Sequence, residues 1–161
     1  MPIQRLAVNS YESPLSFRFV VELDNRRVAA FTECTLPAIS WKMQEIIEGG
    51  LNTHTHELIG PRQKTKLVLK RGLAASSELM DWYVQTLNQQ IQRKRVTVVL
   101  LDVTRQPVMT WSIEQALPVK WTGPKLDAKA KTVAVETLEI SCGRITVELD
   151  AAYKQTVGGG A

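Results

Sequence analysis

The chain has 161 residues, 44% of them hydrophobic and 22% charged, with a formal net charge of +4 at pH 7. That composition fits one globular domain with a sizeable core and excludes a largely disordered chain. No apolar run approaches the roughly 18 residues of a membrane span. The opening MPIQRLAVNSYESPLSF lacks the apolar stretch of a secretory signal, so cytoplasmic assembly without stable membrane association is expected.

Residues 1–14 read as a polar N-terminal arm, and the folded domain is expected over 15–150. In LSFRFVVEL, Phe17, Phe19, Val21 and Leu23 share one face while Arg18 and Glu22 lie on the other, the pattern of a half-buried strand. DNRR at 24–27 signals a turn, and VAAFTECT is expected to run back as the hairpin partner. After Pro37, the residues Ile39, Trp41 and Met43 alternate with Ser40 and Lys42 and lead into the pair Gly49-Gly50. Gly60-Pro61 reads as a second break. KTKLVLKRG then sets Leu67 and Leu69 against Lys66, Val68 and Lys70.

One helix is predicted over 77–91. Ser76 or Ser77 would cap it, Glu78 and Asp81 suit its first turn, and Leu79, Trp82, Tyr83, Leu87 and Ile91 form an apolar stripe. RVTVVLLDV is the most apolar strand, and it returns through 104–107 as VMTWSIEQA. LPVKWTGPKLDA reads as a loop, KTVAVETLEIS and RITVELDAAY as a last hairpin around Cys142-Gly143, and 151–161 as a loose tail. About eight strands and one helix make a mainly β (α+β) domain: two antiparallel sheets in a small barrel-like sandwich with one packed α-helix.

The chemistry-bearing residues are sparse. Cys34 and Cys142 are far apart with no ligand spacing, and read as free thiols. His54 and His56, the two histidines, would face the same way on a strand, and Glu48 or Glu57 could complete a zinc site, but nothing else has ligand spacing. No nucleophile motif, carboxylate pair or phosphate-binding glycine loop is present. No catalytic residue, metal or cofactor is therefore expected, and the chain is not read as an enzyme. Basic residues are scattered apart from QRKR at 92–95 and LKRG at 69–72. A nucleic-acid-binding β-barrel and a histidine-dependent metal enzyme stand as the competing readings. KTVAVETLEI and KTKLVLKRG carry one apolar face and one of Thr, Lys, Arg and Glu. Such strands at a sheet edge invite pairing with another chain, and a closed ring removes the edges and turns the polar face to a wet lumen.

These stretches, in order over some 125 residues, resemble the tail tube (inner tube) protein family of contractile phage tails and contractile injection systems. FRFVVELDNRRVAAFTECTLP is similar to the family's opening hairpin, EIIEGGLN to its Glu-Gly-Gly segment, LVLKRGL to its Leu-Lys-Arg-Gly stretch and Trp82 to its helix tryptophan. RVTVVLLDVTRQPVMTWSIEQALPVKWTGP is similar to its Trp-bearing hairpin and Pro-x-Lys-Trp loop, and VAVETLEI to its closing strand. Ile46, Ile59-Gly60, Cys142-Gly143 and the C-terminal extension depart from the family pattern, so a tube initiator or second tube paralogue at the baseplate stands beside a shaft subunit.

The resemblance implies homo-hexameric rings stacked into a rigid tube inside a sheath. Partners are then the sheath, baseplate or initiator and terminator proteins, with protein or DNA cargo in the lumen, in a particle that is released or anchored. It implies that 44–62 is an extended stacking loop, with Ile46, Ile47, Glu48, Gly49, Gly50, Leu51 and Asn52 contacting the next ring. Exposed charge at Arg93, Lys94 and Arg95 would contribute to sheath contact.

Overall fold

A strand forms wherever the period-two pattern has a face to bury. The computed structural model of the chain describes residues 18–28, 31–46, 49–50, 56–72, 78–129 and 134–151. The order is β1 (Arg18–Leu23), β2 (Arg26–Arg27), β3 (Glu33–Thr35), β4 (Trp41–Ile46), β5 (His56–Arg62), β6 (Lys66–Gly72), α1 (Glu78–Leu87), β7 (Lys94–Leu101), β8 (Pro107–Thr122), β9 (Val135–Ser141) and β10 (Ile145–Leu149).

All pairings are antiparallel, and β8 belongs to two sheets. Its first part lies between β7 and β10 in a sheet ordered β2-β1-β7-β8-β10. Its second part, Leu117 to Thr122, pairs with β9 in a sheet ordered β8-β9-β6-β3. The strand bends between these parts at Gln115, which sits at φ 56, and its register shifts between Pro118 and Lys120. This revises the expected loop at LPVKWTGPKLDA: residues 117–122 are strand, because Pro118 falls beside an irregularity where the ladder does not require its missing N–H. It also revises the expected last hairpin. β9 and β10 follow each other in sequence but pair with different parts of β8.

The two sheets bring their apolar faces together. Val21, Leu23, Val96, Val98 and Ile113 of one sheet and Leu67, Leu69, Leu138 and Ile140 of the other form a single cluster with Leu79 and Trp82 of α1. Trp82 is 1% exposed, and its indole N–H donates to the Gln92 carbonyl at 2.7 Å, so burying it leaves no polar atom unpaired. The helix is shorter than its apolar stripe predicts. Leu87 and Ile91 are 62% and 63% exposed, and the chain leaves helical geometry at Gln89, at φ 61.

The turn after β1 has positive φ at both Asp24 (48°) and Asn25 (66°), the hairpin turn whose twist matches flanking strands. The turn is tighter than expected: Arg26 and Arg27, read as part of it, already pair with Leu23 and Glu22, while of the expected partner VAAFTECT the Val28 N–H donates to the Val21 carbonyl at 3.1 Å and Glu33–Thr35 pair with β6 instead. The expected break at Gly60-Pro61 lies inside β5. The β4–β5 register shifts between Trp41 and Met43, and a Cβ on Gly60 would lie 2.7 Å from the Lys42 carbonyl oxygen, so the close approach requires glycine.

Among the described residues, one ion pair is buried. Arg71 on β6 and Glu136 on β9 face each other in register at 5% and 4% exposure. Arg71 Nε donates to Glu136 Oε1, and Trp121 Nε1 donates to Glu136 Oε2 at 3.1 Å. The guanidinium lies 5.9 Å from the Phe31 ring centroid. Removing one partner strands a charge in the interior, whereas replacing both with apolar groups of similar size does not. Glu136→Ala is expected to cost about 3–5 kcal/mol of unfolding free energy, and the pair Arg71→Met with Glu136→Leu to recover most of it. Denaturant titration of the three proteins checks this; equal losses in the single and double variants would refute it.

Candidate functional site

The first candidate surface is the pair of edges of the sheet β2-β1-β7-β8-β10. Each pairing reverses direction, so β1 and β10 run opposite ways. β2 covers β1 at Glu22 and Leu23, and the Val28 N–H donates to the Val21 carbonyl at 3.1 Å, leaving Arg18 to Val20 without a neighbour on that side among the described residues. β10 likewise pairs only with β8, and its apolar Val147 and Leu149 stay 43% and 40% exposed. A sheet with two open ends of opposite direction can be continued by another copy of itself.

The face of this sheet away from the core is polar in rows. Register places Glu22, Thr97, Ser112 and Thr146 side by side, and Val20, Val99, Thr110 and Glu148 in the next row. The outer face of the other sheet carries Lys66 and Lys120 on Glu139, at 2.9 and 3.4 Å. The hydrogen bond from Lys66 holds the Glu139 carboxyl below its ordinary range, with the Lys120 charge adding to it. β6 and β9, whose sequences suggested edge strands, each have neighbours on both sides.

The second surface is the ribbon β4–β5, a separate two-stranded sheet. Every residue of β4 is exposed, including Trp41, Met43 and Ile46, and Leu58 and Ile59 of β5 are exposed as well. Ile46, the first residue of the sequence-predicted contact segment, pairs with His56 at the far end of the ribbon. Gly49 and Gly50 sit in a turn there with no atom near the position of a Cβ, and Gly50 has φ +114. Ile47, Glu48, Leu51, Asn52 and His54 lie outside the described residues, as does the side chain of His56.

The third is the charged group at the start of β7. Arg93 donates to the Gln115 carbonyl at 3.2 Å, and Arg95 approaches Glu114 at 3.3 Å while its backbone N–H donates to Asp24 Oδ1 at 3.0 Å. Lys94 between them and Arg26 across the turn form no ion pair among the described residues. Sequence reasoning named Arg93, Lys94 and Arg95; the partners Asp24 and Glu114 are distant in sequence and carried no signal.

Among the described residues, no three of His, Cys, Asp and Glu are grouped to hold a metal ion, and no helix is long and apolar enough to cross a membrane. Both cysteines are free thiols. Burial pushes Cys34 up to about 11 and raises Cys142 as well, the opposite of an activated nucleophile.

Comparison with known proteins was informative at the level of family and of structure. The family described as T4-like virus tail tube protein gp19 matches residues 15–146. Comparison with curated proteins gives no match. A chain in the cryo-EM structure of the anti-feeding prophage (AFP) baseplate, 6-fold symmetrised, is 27% identical, with a TM-score of 0.73 over 82% of this chain and 91% of that one. A chain of the extended PVC sheath-tube complex, from an extracellular contractile injection system, is 24% identical, with a TM-score of 0.75 over 88% and 95%. Hcp1 from Flavobacterium johnsoniae shares the fold at 15% identity, with a TM-score of 0.54 over 82% and 95%.

Proposed function

The chain belongs to the T4-like virus tail tube protein gp19 family, and from that premise we propose that it is an inner-tube subunit of a contractile phage tail or contractile injection system. Copies join edge to edge into a hexameric ring, and rings stack into a hollow tube inside a sheath. The observation that carries this reading is the sheet with two unpaired edges of opposite direction. β10 of one copy lies antiparallel to β1 of the next, so the sheet continues with its hydrogen-bond pattern unchanged. Only closure removes the last edge. The baseplate structure with the 27% identical chain is 6-fold symmetrised, which supports six copies.

In this ring β1, β7, β8 and β10 form the wall, and its outward rows of hydroxyls and carboxylates become the lining of a wet lumen for protein or DNA cargo. β9 is paired along both edges, and β3 covers part of the outer edge of β6, at Val68 to Lys70, so the joint is assigned to β1 and β10. The work is mechanical. Hydrogen bonds running around the circumference make the wall stiff enough to be driven through a target envelope. The sheath and the baseplate and terminator proteins are its partners, in keeping with the sheath-tube and baseplate assemblies whose chains it resembles.

Native mass spectrometry and negative-stain microscopy of the expressed chain test the ring. Six-copy rings or stacked tubes are expected, growing from a supplied baseplate if not alone. A chain that stays monomeric even with a baseplate and holds one zinc through His54 and His56 would overturn the reading.

The ribbon is the stacking device, with Gly49 and Gly50 letting its far end turn closely against the next ring. Gly49→Val with Gly50→Val should cost the subunit about 1–2 kcal/mol, from a β-branched residue at positive φ, while tube length collapses. A soluble double variant that still makes full-length tubes would sink that assignment.

Arg93, Lys94 and Arg95 contribute to sheath contact; Lys94 forms no ion pair among the described residues. Replacing all three with alanine should weaken sheath assembly on preformed tubes, most visibly at low salt, where surface charge is least screened. Unchanged co-sedimentation of the sheath would count against it.

A further inference from the structure

The ribbon is held to the rest of the molecule by very little. β4 and β5 pair only with each other, and the Gln63 N–H closes the base by donating to the Ser40 carbonyl at 2.8 Å. Among the described residues, one ribbon side chain hydrogen-bonds to the sandwich: Arg62, whose Nη2 donates to the Gly143 carbonyl. Arg62 stands opposite Trp41, at the base of the ribbon.

The acceptor end of this bond is rigid. Gly143 lies in the turn between β9 and β10, packed on the bend of β8. A Cβ there would lie 2.5 Å from the Glu114 carbonyl oxygen and 2.7 Å from Gln115 Cβ. The Glu114 N–H donates to the Arg144 carbonyl at 2.8 Å, and the Cys142 N–H to the Thr65 carbonyl at 3.2 Å. The turn is therefore fixed on both flanks, to β8 and to the segment that follows the ribbon.

We propose that Arg62 is the positioning residue of the stacking device: through its bond to Gly143 it sets the angle at which the ribbon leaves the sandwich. This rests on the stacking reading above. Six residues of strand separate the base from the far end, a lever of about 20 Å at the usual strand rise. A 10° change at the base displaces the far end by roughly 3–4 Å, which is more than a hydrogen bond tolerates. A guanidinium suits the task, since it stays charged and offers several donors in a fixed plane. Arg62 acts on the partner ring only through where it puts Ile46, Gly49 and Gly50.

The test compares wild type, Arg62→Ala and Arg62→Lys in the full chain. Rings are counted by native mass spectrometry, tubes by electron microscopy at equal concentration, and ribbon protection by hydrogen exchange over 40–46 and 56–62. Arg62→Ala is expected to make rings as wild type does, with tube yield at least tenfold lower and faster exchange in the ribbon. Lysine, which can reach the carbonyl with one donor, should restore part of the yield. Full-length tubes from Arg62→Ala overturn the proposal and leave the stacking reading standing. Wild-type rings that never stack overturn the stacking reading itself. Should the alanine variant not fold, a cryo-EM map of wild-type tubes decides: the Arg62–Gly143 bond retained supports the proposal, and Arg62 turned onto a neighbouring copy refutes it.

Discussion

A single sixteen-residue strand, β8, serves two sheets, and it does so by bending at Gln115. A non-glycine residue at positive φ costs about 1–2 kcal/mol, so surrounding structure must hold it there. Ile113 and Ala116 on either side are fully buried, and the turn through Gly143 packs directly against the bend. The rest of the topology follows from that corner. It sends β9 and β10, adjacent in sequence, to different sheets, and it opens the pocket between the sheets that α1 and the apolar faces fill.

The interior is closed at one end by a polar cluster. Arg71, Glu136 and Trp121 come from three neighbouring strands, and Trp121 also lies 6.2 Å from the ring of Tyr83 on α1. The cluster ties the helix and the second sheet together where apolar packing runs out. Trp121 is a partly exposed ring fastened by a buried carboxylate.

Strands with a strict alternation were legible in the sequence. Leu67 with Leu69, and Val21 with Leu23, point inward as their spacing predicts, because a period of two leaves one face for the core. What failed were inferences from neighbourhood. Adjacent strands around Cys142-Gly143 looked like a hairpin, and proline and glycine in LPVKWTGP and in HELIGPR looked like breaks. Pro118 and Gly60-Pro61 lie at irregularities in a ladder, which composition does not distinguish from a loop, whereas Gly123-Pro124 do follow the end of a strand, at Thr122. The helix start was visible in Glu78 and Asp81, but its end was not, since Leu87 and Ile91 extend the stripe beyond the helix. Of the candidate site, the glycine pair announced itself by type. Arg62 and the open edges of β1 and β10 did not, since their significance depends on long-range pairing.

The ribbon, apolar and alone, also raises a question of solubility. An exposed pair of strands bearing Trp41, Met43, Leu58 and Ile59 is the kind of surface on which chains collect in disorder. Its own sequence limits that. Lys42 and Glu45 interrupt the apolar residues of β4, Glu57 does so on β5, and Pro61 removes a donor from the ladder a stray strand would extend. A random encounter between two ribbons therefore meets charge and a missing hydrogen bond, while a partner shaped to fit meets an apolar surface ready to be covered. Under the proposed stacking, the same few residues make the subunit adhesive to one neighbour and inert to the rest.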